Sequence, residues 1–185
     1  LGAMIEVPAA ALLARRFLRP GLAVAALPIV IPQALAFPYH ATSHGSEFWS
    51  ERPLDQAQLD AVAARAASLV ARSPLAQASE TRHVFLTDGG WRWTWLAATA
   101  RGSFGLTRPL VEAVIINRSD VATDTVKGGR RTLSGVLAHE TCHGMSRRQF
   151  GLAILFKPAW LTEGYCDYVA QESNLTDAEA AGARR

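Results

Sequence analysis

Cysteine is scarce: Cys142 and Cys166 are the only two in 185 residues. A disulfide framework is therefore excluded, and at most one bridge forms, provided the two sulfurs meet in an oxidising compartment. Charge is also sparse. Charged residues make up 19% of the chain and the formal net charge is +3, with Arg15, Arg16, Arg19, Arg184 and Arg185 near the ends supplying part of the excess. No basic stripe carries interleaved aromatics, so no nucleic-acid partner is expected. Internal repeats and low-complexity runs are lacking too. The length suits one domain with a sizeable core and a short appendage.

One long apolar run is present. Residues 21–37, GLAVAALPIVIPQALAF, follow the basic group RRFLR and contain Gln33 as the only strongly polar side chain. The run is at the short edge of what spans a bilayer, and Pro28 and Pro32 would each remove a helix hydrogen bond. Three readings stay open: a membrane anchor or membrane-lying segment, a secretory signal cleaved after Ala34 to Ala36, and a soluble core helix. We divide the chain into residues 1–38, a signal or membrane-anchor segment, and residues 39–185, the functional domain. In the first two readings the arginines stay cytoplasmic, and the domain is extracytoplasmic, either membrane-anchored or secreted.

Within the domain, Leu59, Val62, Ala66, Leu69 and Val70 recur at helical spacing, predicting an amphipathic helix between Leu54 and Arg72. HVFLT and WRWTWLA, joined by DGG, predict a β-hairpin, and LVEAVIIN predicts a third strand. If that third strand borders a cleft, its free amides and carbonyls would hold an extended peptide. Thr132 is placed to cap a helix carrying LSGVLAHETCHGMSRR, and LTEGYCDYVAQES reads as a further helix after Pro158. This order of elements predicts an α+β fold.

The stretch HETCH, His139 to His143, carries the chemistry. Residues four apart on a helix differ by about 40° of rotation and about 6 Å of rise, so both imidazoles leave one face. They are spaced to share a tetrahedral zinc ion, with Glu140 directed at the metal's open side as a proton acceptor. A catalytic zinc needs a third protein ligand. The downstream candidate is Glu163 in WLTEGYCDY, followed four residues later by Asp167.

HETCH and WLTEGYCDY together resemble the gluzincin class of zinc metallopeptidases, in which HExxH is completed by a glutamate about twenty residues on, in a WLxEGxAxY setting. The resemblance covers residues 137–168. It implies a zincin-like domain with a small, mainly antiparallel sheet packed on the HExxH helix and on a following helix that bears the third ligand. It further implies Zn²⁺ held by His139, His143 and Glu163, with Glu140 as general base and proton shuttle. Asp167 would bond a ligand histidine, as in thermolysin-like members, the alternative being an exposed helical carboxylate. The expected activity is hydrolysis of a peptide or protein substrate by metal-activated water. A membrane-associated scaffold with a closed zinc site and a zinc hydrolase of a non-peptide bond are the rival readings.

Further residues have weaker signals. Tyr168 is a candidate oxyanion donor, and so is Tyr165, although either ring also reads as core packing. Cys142 and Cys166 read as small buried residues, with a bridge open because their helices should pack together. His40 and His44 repeat the four-residue spacing without a carboxylate between them. Arg101 and Arg108 are candidates for gripping a substrate carboxylate, against the default of solvated loop charges.

Overall fold

The computed structural model describes residues 31–173 apart from 79, 99 and 109–111. Most of the apolar run at 21–37 lies outside that range. Its end does not: Pro32–Leu35 forms a 3-10 turn, Leu35 is buried beside Phe85, and the Phe37 ring packs on Phe85. No helix among the described residues is long and apolar enough to cross a membrane.

Among the described residues the architecture is α+β, a five-stranded sheet with four α-helices. The strands are β1 (Tyr39–Ser43), β2 (Ser46–Ser50), β3 (His83–Leu86), β4 (Gly105–Thr107) and β5 (Ala113–Ile116), in the order β1-β2-β3-β5-β4. The helices are α1 (Gln56–Val70), α2 (Trp91–Ala97), α3 (Leu133–Phe150) and α4 (Ala159–Ala170). A two-stranded ribbon, β6 (Thr125–Val126) with β7 (Arg131–Thr132), leads into α3.

The sheet corrects the expectation of a mainly antiparallel one. β1 with β2 and β4 with β5 are antiparallel, whereas β2 with β3 and β3 with β5 are parallel. The cause is local. WRWTWLA does not return as a hairpin strand but forms α2, burying Trp93, Leu96 and Ala97, which stand at i, i+3 and i+4, one side of a helix. With α1 bridging β2 to β3, and α2 and β4 bridging β3 to β5, the central strands must run parallel, since parallel neighbours need a crossover connection.

The central strands are covered on both faces. Val84, Leu86, Val114 and Ile116 meet Leu59 and Val62 of α1 and Val136 and Leu137 of α3. Phe85, Ala113 and Ile115 meet Trp93 and Leu96 of α2. Strands enclosed this way read as continuous apolar runs. Each fully buried aliphatic contributes about 1.5–3 kcal/mol relative to exposure.

β5 is interior, so the expected strand-addition edge is not there; β4 ends the sheet. The His40 and His44 spacing spans a hairpin turn, with His40 in β1 and His44 at a φ of 47° just after it. The two histidines are therefore not on one helical face.

α3 and α4 pack through Ala138, Cys142, Met145, Cys166 and Val169, with Val70 of α1 alongside. Cys142 and Cys166 form a disulfide in this layer, with Cα atoms 5.4 Å apart. It closes a loop with a sequence separation of 24, and a constraint of that size on the unfolded chain is worth about 3 kcal/mol. Reduction, or Cys142→Ala with Cys166→Ala, should lower the thermal midpoint by roughly 6–12 °C. Scanning calorimetry with and without reductant checks this, and coincident transitions would show that the bridge does not form.

Candidate metal centre

Thr132 starts α3. Its side chain accepts a hydrogen bond from Gly135 N at 2.9 Å, satisfying one of the free amides of the first turn. Two carboxylates sit at the same end: Asp124 accepts from Ser134 N at 2.8 Å, and Glu172 accepts from the Thr132 hydroxyl at 2.6 Å. Negative charge there complements the positive end of the helix dipole. A Cβ at Gly135 would stand 2.5 Å from the Glu172 carboxylate, so a side chain there would push Glu172 off the start of the helix. The helix is thus anchored at its start, and its buried turns carry HETCH.

His139 and His143 leave α3 on one side, with ring centroids 4.8 Å apart and an interplanar angle of 72°. α4 runs against them and presents Glu163. The separations are 3.1 Å between the two Nε2 atoms, 3.2 Å from His139 Nε2 to Glu163 Oε2 and 3.4 Å from His143 Nε2 to Glu163 Oε1. Ligands at 2.0–2.1 Å from a tetrahedral zinc are spaced about 3.3 Å from one another. The donor set therefore fits such an ion in both chemistry and spacing. Among the described residues this is the one His/Cys/Asp/Glu group of three or more compatible with a metal.

The other imidazole nitrogen of His139, Nδ1, lies 2.9 Å from Asp167 Oδ1. With a proton on Nδ1, favoured by the charge of Asp167 rather than by an aligned hydrogen bond, Nε2 would turn its lone pair toward the cluster, the tautomer that a metal needs. Asp167 is held in turn by Arg131, whose Nη1 is 3.3 Å from Oδ1, and Arg131 Nε is 3.3 Å from Glu172. Burial opposes charge on His139, yet Asp167 and then Glu163 outweigh it and push its pKa up to about 9. The His139 and His143 contacts hold Glu163 well below the usual carboxylate range. For Asp167, burial raises the pKa but His139 and Arg131 bring it below normal. Asp167→Asn should weaken zinc binding about 10–100-fold, measured by competition with a chromophoric chelator; an unchanged constant would remove Asp167 from the site.

Glu140 is 7% exposed and faces β4. The Thr107 hydroxyl lies 2.8 Å from Glu140 Oε2 and 2.7 Å from the Glu140 carbonyl oxygen, so its single proton is shared between them. A Cβ on Gly105 would come within 3.2 Å of the Glu140 side chain, which is why the edge strand comes so near the helix. The carboxylate is thus fixed between the metal-ligand face of α3 and the edge of the sheet.

The structure brings His139, His143, Glu163 and Asp167 into contact, while the Glu140 carboxylate meets Thr107 of β4. Tyr168 stands apart: it is 69% exposed and lies five residues from Glu163, about 140° around α4. The Tyr165 hydroxyl pairs with Ser73 Oγ at 2.7 Å, a tie between α4 and the segment after α1. Arg108 is partly buried, with Nε and Nη2 lacking a hydrogen-bond partner among the described residues, and burial lowers its pKa. Arg101 is exposed. Sequence reading missed Thr107, Arg131 and Glu172, which reach the site only through tertiary contacts. Compared with known proteins, the chain matches no family model, no curated protein and no solved structure.

Proposed function

We propose that this protein is a zinc-dependent metallopeptidase of gluzincin type, with a zincin-like domain acting outside the cytoplasm. The observation that carries the reading is the convergence of His139, His143 and Glu163 at 3.1–3.4 Å from one another, with Glu140, on the same helix as the two histidines, held by the Thr107 hydroxyl. Zinc, which these three side chains would hold, would supply a Lewis acid for the scissile carbonyl and would lower the pKa of water at the site toward 7.

The chain's own residues do the rest. Glu140 accepts a proton from the attacking water and passes it to the leaving nitrogen. Thr107 keeps that carboxylate from rotating away. Asp167, steadied by Arg131, fixes the His139 ring. β4 ends the sheet and lies against Glu140, which favours a peptide: an extended chain added to that edge would bring a carbonyl past the general base. The cluster gathers three ligand side chains among the described residues, the number that a catalytic zinc would take from the protein. The Cys142–Cys166 bridge supports an oxidising, extracytoplasmic compartment.

The test is hydrolysis of a quenched-fluorescence peptide library by zinc-loaded protein. Cleavage that a chelator removes and stoichiometric zinc restores is expected. No cleavage of any peptide, with hydrolysis of ester or glycan substrates instead, would contradict the peptidase reading.

A further inference from the structure

Between α3 and α4 the chain exposes apolar residues that a solvated surface does not call for. Phe156 is 88% exposed, Trp160 76%, Leu152 60% and Phe150 54%, with Leu161 beside them at 44%. Phe150 and Leu161 line a cavity of about 410 Å³ whose walls are almost wholly carbon, together with Pro74, Ile154 and Tyr165. Apolar patches of this kind mark contact surfaces.

Charge distinguishes what would cover it. No aspartate or glutamate occurs between Thr141 and Thr162, while Arg147, Arg148 and Lys157 do. The neighbouring carboxylates are Glu80, paired with Arg82 and Arg148, and Glu112, paired with Arg147. Arg82 and Arg147 are largely buried in those pairs, whereas Arg148 and Lys157 reach the surface, Lys157 on the cavity wall itself, and Glu163 beyond Thr162 is the exposed carboxylate at the far end. Exposed Trp and Phe beside a positive excess is the composition of a surface that enters the headgroup layer of an anionic bilayer.

We propose that the segment from Phe150 to Leu161 is a membrane-docking surface, seating Phe156 and Trp160 in the interfacial layer of an anionic bilayer with Lys157 at the phosphates. Thr162 lines the cavity and Glu163 follows it in sequence, so docking would hold the metal cluster beside the lipid. The surface does not depend on the hydrolase reading.

The experiment uses the full chain with vesicles of equimolar phosphatidylcholine and phosphatidylglycerol, against pure phosphatidylcholine, with acyl-chain-brominated lipid as quencher of tryptophan fluorescence. Wild type should be quenched on the anionic vesicles, and Trp160→Phe should lose most of that quenching while still binding. Phe156→Ser with Lys157→Glu should reduce Trp160 quenching about tenfold or more at fixed lipid, with the thermal midpoint unchanged because these side chains are exposed. Equal quenching of wild type and Trp160→Phe would overturn the proposal, since any binding would then come from another part of the chain. Concentration-dependent dimerisation abolished by Phe156→Ser, with no quenching by lipid, would overturn it in favour of a second copy.

Discussion

Glu163→Ala is expected to lower zinc affinity by two orders of magnitude or more, at roughly unchanged stability. Partners that merely orient a ligand are worth about 10–100-fold, and removing a ligand costs more because two imidazoles alone leave half the tetrahedron to solvent. The carboxylate is the most exposed of the three ligand groups, at 57% of its side chain. The helix beneath it is held by the Cys142–Cys166 bridge and by Val169 in the core. Truncation at this position should therefore leave α4 in place. Chelator competition on wild type and variant, with thermal unfolding of both in the absence of metal, separates the two effects. Equal affinities would require a different third ligand.

Glu140→Gln is expected to reduce kcat/KM about 10²–10⁴-fold while zinc content stays stoichiometric. The amide keeps the shape of the carboxylate and an oxygen for the Thr107 hydroxyl, so the 2.8 Å contact to β4 survives. What it loses is the capacity to accept a proton from water. Because Glu140 is not among the three ligand groups, metal affinity should hardly move. Peptide turnover at the wild-type rate would show that Glu140 is not the base, and loss of zinc would show that it is a ligand.

The meeting of His139 and His143 was legible because helix geometry turns a four-residue spacing into one face, and because Thr132 marks where that helix begins. Glu163 was found by pattern and Asp167 by resemblance; both rest on the packing of α4 against α3, which apolar residues at Cys166, Val169 and Ala170 encode. The sheet was less legible. In WRWTW, tryptophan at every second position mimics a strand, yet Trp91 and Trp95 are exposed and Trp93 is buried with Leu96 and Ala97. The helical spacing of the three that bury decided the outcome, and with it the parallel pairing of β3 and β5. Thr107, Arg131 and Glu172 had no local pattern to read. Their roles arise from approaches 33, 36 and 40 residues apart in sequence, Thr107 to Glu140, Arg131 to Asp167 and Glu172 to Thr132.

The most direct measurement is X-ray absorption at the zinc edge on the purified chain. The account predicts one zinc per chain, a first coordination sphere of nitrogen and oxygen at about 2.0–2.1 Å, and the multiple-scattering signature of two imidazoles. Sulfur scattering near 2.3 Å would place the ion on Cys142 and Cys166, and a single imidazole would separate His139 from His143; either result would contradict the centre described above.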